Sequence, residues 1–368
     1  MRDPPIDAWL EAVGAELCLH AEAGSWNQPF AVKTIYVGGG TPSLLPTGGM
    51  AKLAGRLRES IMWGPDVEWT AEANPETLTA SLAEDWRRAG VNRLSLGAQT
   101  FHEDALRWMG RLHGPDGPGR AMAAAREAGF RNISIDLIFG LPSRLGRDWR
   151  GDLERVLAME PEHVSLYGLT AEPATPLGRW VREGRETLAA EDTYETEYLT
   201  AAELLTRSGY EHYEVSNFAL PGHESRHNRA YWLGAGYVGL GPGSHSYLPP
   251  RRFWNVRDWA EYRARVAAGE TPIEGEETLD GAARALEGTW LGLRTAGGLS
   301  ELSSRQARLA RTWQSAGLAE LEGGRLRLTP NGWLLLDRLA VEMDAVETPV
   351  RKPQACRGGI ATSDSRPA

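Results

Sequence analysis

Six short runs of β-branched and aromatic residues, each set off by a longer stretch with helical spacing, constrain this chain most. The runs are "TIYVGG" (34–39), "VEWTAEAN" (67–74), "RLSLGAQ" (93–99), "NISIDLIFG" (132–140), "HVSLYGLT" (163–170) and "EHYEVSNF" (211–218). The helical stretches "SLAEDWRRAG", "GRAMAAAREAGF" and "DTYETEYLTAAELLTRSGY" stop at Gly90, Gly129 and Gly209. Asp, Ser or Thr often opens such stretches, which is capping chemistry at both ends. A further amphipathic helix, "PPIDAWLEAVGAELCLHAEAG", precedes the first strand. Strand–helix alternation predicts parallel strands with right-handed crossovers.

Polar residues gather toward the C-terminal ends of nearly every run: Gly38, Gly39, Gly40 and Thr41, then Glu72 and Asn74, Gln99, Asp136, Tyr167, and Glu214, Ser216 and Asn217. A ring of strand ends carrying chemistry is the habit of (β/α) barrels. A doubly wound sheet would concentrate its ligand groups at one switch point. The expected fold is therefore α/β, a partial (β/α)6 TIM-like barrel lacking its first strand.

From about residue 270 the pattern changes. "ALEGTWLGLRTAGGL" and "LSSRQARLARTWQSAG" read as helices, followed by a two-stranded wing turned at Gly323–Gly324 and a last helix. The expected organisation is a barrel over 1–222, a connector over 223–270, a small winged-helix-like domain over 271–345 and a disordered tail over 346–368. Arg325 and Arg327 make only a thin basic face on the wing, so packing or a protein partner is expected there.

Composition excludes whole classes. The formal net charge is −9, from 40 Lys+Arg against 49 Asp+Glu, without basic runs, so no nucleic-acid binding is expected. Two cysteines far apart, Cys18 and Cys356, give no disulfide framework. The chain carries no apolar run of about 18 residues and no signal pattern, so a cytoplasmic location is expected.

Several residues invite a chemical reading beside a plain one. The glycines of "YVGGGTPS" let a backbone approach a carboxylate or phosphate, or simply make a tight turn. Glu72, Gln99 and Asp136 sit in apolar surroundings on successive strands, and together they suggest a pocket lining. Arg111 and His113 in "MGRLH" also suit a solvated helix end. In "ESRHNRAYW" (224–232), His227 stands beside Asn228, Tyr231 and Trp232. Histidine ligates transition metals and haem iron, and flat aromatics suit a porphyrin face, yet a histidine beside a tryptophan is commonly structural. His212, His223 and His245 are competing ligands.

The stretches "YVGGGTPSLL", "AEANPET", "RLSLGAQTF", "MGRLH", "IDLIFGLP", "SLYGLTAEPATPL", "YEVSNFALPGHESRHNRAYW" and "GLGPGSHS", in this order, resemble the HemW branch of the radical S-adenosylmethionine (SAM) proteins. That branch comprises haem chaperones related to oxygen-independent coproporphyrinogen III oxidase. The resemblance runs from the first helix to about Met343 and implies a partial (β/α)6 barrel with a small C-terminal domain. It implies that Gly39, Gly40 and Thr41 hold the methionyl end of S-adenosylmethionine near Glu72, with Gln99, Arg111, Asp136 and Gly168 as further contacts. It also implies that His227 binds haem iron, with Asn228, Tyr231 and Trp232 around it, and that haem passes to an acceptor protein, membrane-associated haem proteins included. The family holds a [4Fe–4S] cluster on Cys-x-x-x-Cys-x-x-Cys, and those cysteines are absent from this sequence; either Met1 is an internal methionine, which the retained strand-end residues favour, or the lineage has lost the cluster. A haem chaperone is the leading expectation, with coproporphyrinogen III oxidase as the alternative, and the cysteine departure leaves open whether the chain is an enzyme.

Overall fold

The computed structural model describes residues 6–24 and 31–346. Cys356 and the tail expected beyond 346 lie outside the described residues. The central sheet has seven strands: β1 (Thr34–Val37), β2 (Glu68–Ala73), β3 (Arg93–Gln99), β4 (Ile133–Phe139), β5 (His163–Gly168), β6 (Glu211–Glu214) and β7 (Asn217–Ala219). Their order is β1-β2-β3-β4-β5-β7-β6, and β1 to β5 pair in parallel. The sheet stays open, a curled half-barrel.

The sixth run does not form one parallel strand. It folds back at 215–216 into a hairpin, and β7 pairs antiparallel with β5 and with β6. The reason is local: Glu214 at the turn accepts from the Ser216 N–H (3.3 Å) and from the Asn217 amide, so the backbone reverses around a buried carboxylate. Glu214, Ser216 and Asn217 therefore make a turn, not part of a strand-end ring.

Fully buried parallel strands are usually apolar on both faces. Here β1 to β5 alternate instead. Ile35, Trp69, Ala71, Leu94, Leu96, Ile133, Ile135, Val164 and Leu166 point to one face and pack with helix residues such as Leu82, Trp86, Ala125, Leu153 and Leu205. The other positions carry Thr34, Tyr36, Glu68, Thr70, Glu72, Arg93, Ser95, Ser134, Asp136, His163 and Ser165. The period of two puts these on the inner face, so the half-barrel has a polar interior.

The region 245–278 holds a sheet that the sequence pattern does not announce: β8 (His245–Leu248), β9 (Arg251–Asn255) and β10 (Ile273–Thr278), antiparallel in the order β10-β9-β8. Its charges hide it, since Arg252 faces Glu277 across the strands at 3.0 Å. The N-terminal helix Ile6–Glu22 is pinned to this part of the chain. Glu16, fully buried, accepts from Gly241 N–H at 2.8 Å and from the Tyr262 hydroxyl at 2.6 Å. The last part contains helices Gly281–Leu293 and Ser304–Ser315, a hairpin of β11 (Ala319–Glu322) and β12 (Arg325–Leu328), and helix Leu336–Ala345. Gly323 and Gly324 turn the hairpin at positive φ.

Candidate functional site

Two places on the inner side of the half-barrel carry chemistry, one at each end of the strands. At the C-terminal ends lies a cleft of ≈ 430 Å³ lined by Gly40, Thr41, Glu72, Asn74, Gly97, Gln99, Arg111, Asp136 and Tyr167. Gly38 makes it possible: a Cβ there would lie 2.6 Å from both Glu72 Oε1 and the Tyr36 ring. Only a bare backbone lets the turn lie against the carboxylate. Glu72 accepts from the Tyr36 hydroxyl at 2.7 Å. Burial raises its pKa above the ordinary carboxylate value, and the Tyr36 bond works against that rise. Asp136 is also raised by burial, opposed by hydroxyls of Ser95 and Ser134 that donate to it at 2.8 and 3.0 Å and by the Arg93 charge. Arg111 donates to Asn74 Oδ1 at 3.1 Å across the cleft.

Gln99 reaches the cleft by an uncommon route. Its φ is 66°, in the left-handed region, and the β3–β4 pairing slips between Leu96 and Gln99. Such a position costs roughly 1–2 kcal/mol for a residue with a Cβ, and strain of this kind collects at functional sites.

Of the eight residues expected around a cofactor, Gly40, Thr41, Glu72, Gln99, Arg111 and Asp136 are brought together in this cleft. Gly39 lies next door, in an apolar pocket with Trp9, Leu44 and Trp259. Gly168 is not among the cleft's lining residues: a Cβ there would fall 1.9 Å from the Tyr194 hydroxyl, so its glycine serves packing. His113, for which a solvated helix end is one open reading of the sequence, is 4 % exposed. Sequence reading singled out neither Tyr36 nor the inner-face Ser95 and Ser134. The signal was the alternation of polar residues along otherwise apolar strands.

At the opposite end, "RHNRAYW" is a short helix, Arg226–Trp232, capped by Ser225, which accepts from Asn228 N–H at 3.2 Å. Glu68, at the start of β2, accepts from Arg226 N–H and His227 N–H, both at 2.9 Å. His227 and Tyr231 are four apart and share a helix face. His227 Nδ1 lies 2.9 Å from Thr34 Oγ1, and Nε2 lies 3.0 Å from the Tyr231 hydroxyl. Its ring stacks on Tyr36 at 5.0 Å. Burial lowers its pKa to about 4, and the Arg93 charge adds to this, so the imidazole is neutral at neutral pH. Arg294 sits over Trp232 at 5.3 Å, and the Asn228 backbone is held by the cap.

The competing histidines are placed elsewhere. His212 is wedged between Phe218 and Trp333, with its pKa lowered to about 3 by burial. His245 is exposed beside Trp254, and His223 lies in the turn before the Ser225 cap.

The cluster expected of the family does not fit these residues. The sequence has two cysteines, and Cys18 lies on the N-terminal helix, 3.6 Å from Ser60 Oγ. Among the described residues no group of three or more His, Cys, Asp or Glu could hold a metal ion.

Comparison with known proteins narrows the reading. The radical SAM superfamily matches residues 20–156. Heme chaperone HemW of Mycobacterium tuberculosis is 38% identical over 336 residues, spanning 90% of this chain and 85% of that protein. Heme chaperone HemW of Escherichia coli is 41% identical over 264 residues, 68% of each chain. A mitochondrial radical S-adenosyl methionine domain-containing protein 1 of Danio rerio is 32% identical, spanning 85% of this chain and 75% of that one. In fold, the chain is similar to the Escherichia coli coproporphyrinogen III oxidase, with a TM-score of 0.78 at 21% identity over 93% of this chain and 84% of that one.

Proposed function

This chain belongs to the HemW family of heme chaperones, built on a radical SAM fold, and from that membership we propose that it binds haem at helix Arg226–Trp232 and hands it to an acceptor protein. The observation that carries the site is the state of His227. It is a neutral imidazole whose Nε2 is engaged only by a hydroxyl four residues along the same helix face. Iron needs an unprotonated nitrogen, and exchanging one tyrosine hydroxyl for a metal bond requires only a local movement. Tyr231 and Trp232 supply aromatic surface beside it, and Asn228 a further polar contact.

In the same reading the cleft at the other end takes S-adenosylmethionine. Its donor set suits the amino-acid end of that molecule: Glu72 and Asp136 for an ammonium, Arg111 for a carboxylate, and the bare backbone of Gly39 and Gly40 with Thr41 for close approach. When bound, S-adenosylmethionine would supply a sulfonium. The protein's part is to hold the carboxylates, through Tyr36, Ser95 and Ser134, in one geometry. Among the described residues no helix is long and apolar enough to cross a membrane.

The test is a hemin titration followed by the Soret band, with His227→Ala alongside. Saturable binding that His227→Ala loses supports the reading, and binding indifferent to His227 overturns the site. The same sample is assayed with coproporphyrinogen III: no protoporphyrinogen is expected, and its formation would overturn the chaperone reading.

A further inference from the structure

Helix Arg226–Trp232 and the cleft are joined by a chain of hydrogen bonds that crosses the interior of the half-barrel. From the helix end, the Ser225 N–H donates to the Tyr213 hydroxyl at 3.3 Å. Tyr213 Oη lies 2.8 Å from His163 Nε2, His163 Nδ1 lies 2.8 Å from Ser134 Oγ, and Ser134 Oγ donates to Asp136 Oδ1 at 3.0 Å. Ser134, His163 and Ser225 are all completely buried and Tyr213 is 7 % exposed, so within this chain of bonds no bulk water competes.

The two ends of this chain fix its direction. A backbone N–H can only donate, and an ionised carboxylate can only accept. Ser134 spends its one proton on Asp136, so His163 Nδ1 donates to Ser134. Nε2 of the neutral ring then accepts, and Tyr213, which accepts from Ser225, gives its own proton to Nε2. Burial and the Arg93 charge both keep His163 from taking a second proton, which would reverse a link, and the Ser95 hydroxyl and the Arg93 charge favour the ionised, accepting form of Asp136 against its burial. Arg93 itself is 2 % exposed and makes no ion pair among the described residues, so its charge is felt along the interior without being spent on one partner.

We propose that His163, held as the Nδ1–H tautomer, is a positioning residue that couples Asp136 in the cleft to the cap of the helix bearing His227. The inference rests on the assignment of these two ends as the S-adenosylmethionine and haem sites, but its test uses neither ligand. A change in the hydrogen-bonding demand of Asp136, such as a ligand ammonium would impose, is passed link by link to the Ser225 N–H. That N–H belongs to the residue capping the haem-binding helix. Tyr36, which donates to Glu72 and stacks on His227, gives the two ends a second, shorter connection.

Two measurements on the full chain decide it. The first is the ¹⁵N spectrum of histidine-labelled protein, with the His163 signal identified by its loss in His163→Gln. A neutral Nδ1–H tautomer is expected, and an Nε2–H tautomer or an imidazolium at pH 7 would overturn the directional chain. The second is hydrogen exchange at residues 225–229. Asp136→Asn is expected to speed exchange there about three- to tenfold, the range that the loss of one net hydrogen bond supports. Tyr213→Phe, which keeps the ring and removes one link, is expected to do the same, and adding Asp136→Asn to it should change nothing more. Ser134→Ala serves in place of Asp136→Asn if that variant unfolds. Unchanged exchange at 225–229 in the cleft variant, or additive effects in the double variant, would show that the ends are independent. Loss of hemin binding with the coupling intact would remove only the haem assignment.

Discussion

The two ends of the half-barrel are built from similar residues and left in opposite states. At the C-terminal strand ends, Glu72, Asp136, Gln99 and Arg111 face an open cleft, and burial raises both carboxylates. At the N-terminal ends Glu68 is fully used by two backbone N–H groups, and both nitrogens of His227 have partners. Partly desolvated carboxylates held by neutral hydroxyls, with no opposite charge as direct partner, cost stability until a cationic ligand arrives. The same group at a closed end contributes to stability, and binding there needs a contact to be given up first. Under the proposed function the cleft is a site prepared for its ligand, and the helix a site held shut.

The largest effect that would break this contrast comes from exchanging its two glutamates. Glu68→Ala removes a buried carboxylate that accepts from two part-buried N–H groups at the start of the helix and should lower unfolding free energy by about 1–3 kcal/mol, read by urea denaturation. Glu72→Ala should cost less than about 1 kcal/mol, because it also removes a poorly solvated acid, while weakening S-adenosylmethionine binding at least about tenfold by titration calorimetry. Equal stability losses in the two variants would remove the distinction between prepared and closed ends.

Acidification sharpens the contrast at a smaller scale. His227 titrates near 4 when folded and near 6.5 when unfolded, so the unfolded chain binds more protons between those values. Stability from this residue is complete above pH 6.5 and is lost as pH falls toward 4. Glu214 acts in the other direction: burial raises it to about 7, so its contribution is complete below pH 4.5 and lost as pH rises through 7. His227→Gln should therefore flatten the acid limb of a pH–stability profile below 6.5 and leave the limb near 7 in place. An unchanged acid limb would contradict the buried, neutral imidazole.

The smallest expected effect is at Gln99. Gln99→Gly relieves the left-handed backbone and should leave stability unchanged or raise it by up to about 1 kcal/mol while weakening ligand binding in the cleft. A clear loss of stability would mean that the side chain is structural.

Much of this was legible in the sequence where a residue's effect is local. Strands β1 to β5 and their glycine stops follow from hydrophobic period and capping, and the cleft carboxylates stood out as single acids in apolar runs. The hairpin at Glu214–Asn217 was not legible, because nothing in "EHYEVSNF" distinguishes a reversal made by a buried glutamate from a continuous strand. The sheet over 245–278 was masked by Arg251, Arg252, Glu276 and Glu277, whose charges cancel only after pairing. The interior chain from Asp136 to Ser225 was hidden for a related reason. Ser134, His163 and Tyr213 are ordinary residues singly, and their meaning comes from a register across strands β4 and β5 and the β6 hairpin.

The central claim, that His227 is a haem ligand held closed by its own helix, is tested most directly by hemin titration of Tyr231→Phe beside the unchanged chain. Removing that hydroxyl frees Nε2 and keeps the aromatic face, so hemin should bind about three- to tenfold more tightly. Affinity that is unchanged or weaker would contradict the claim and leave His227 as a structural contact between the helix and β1.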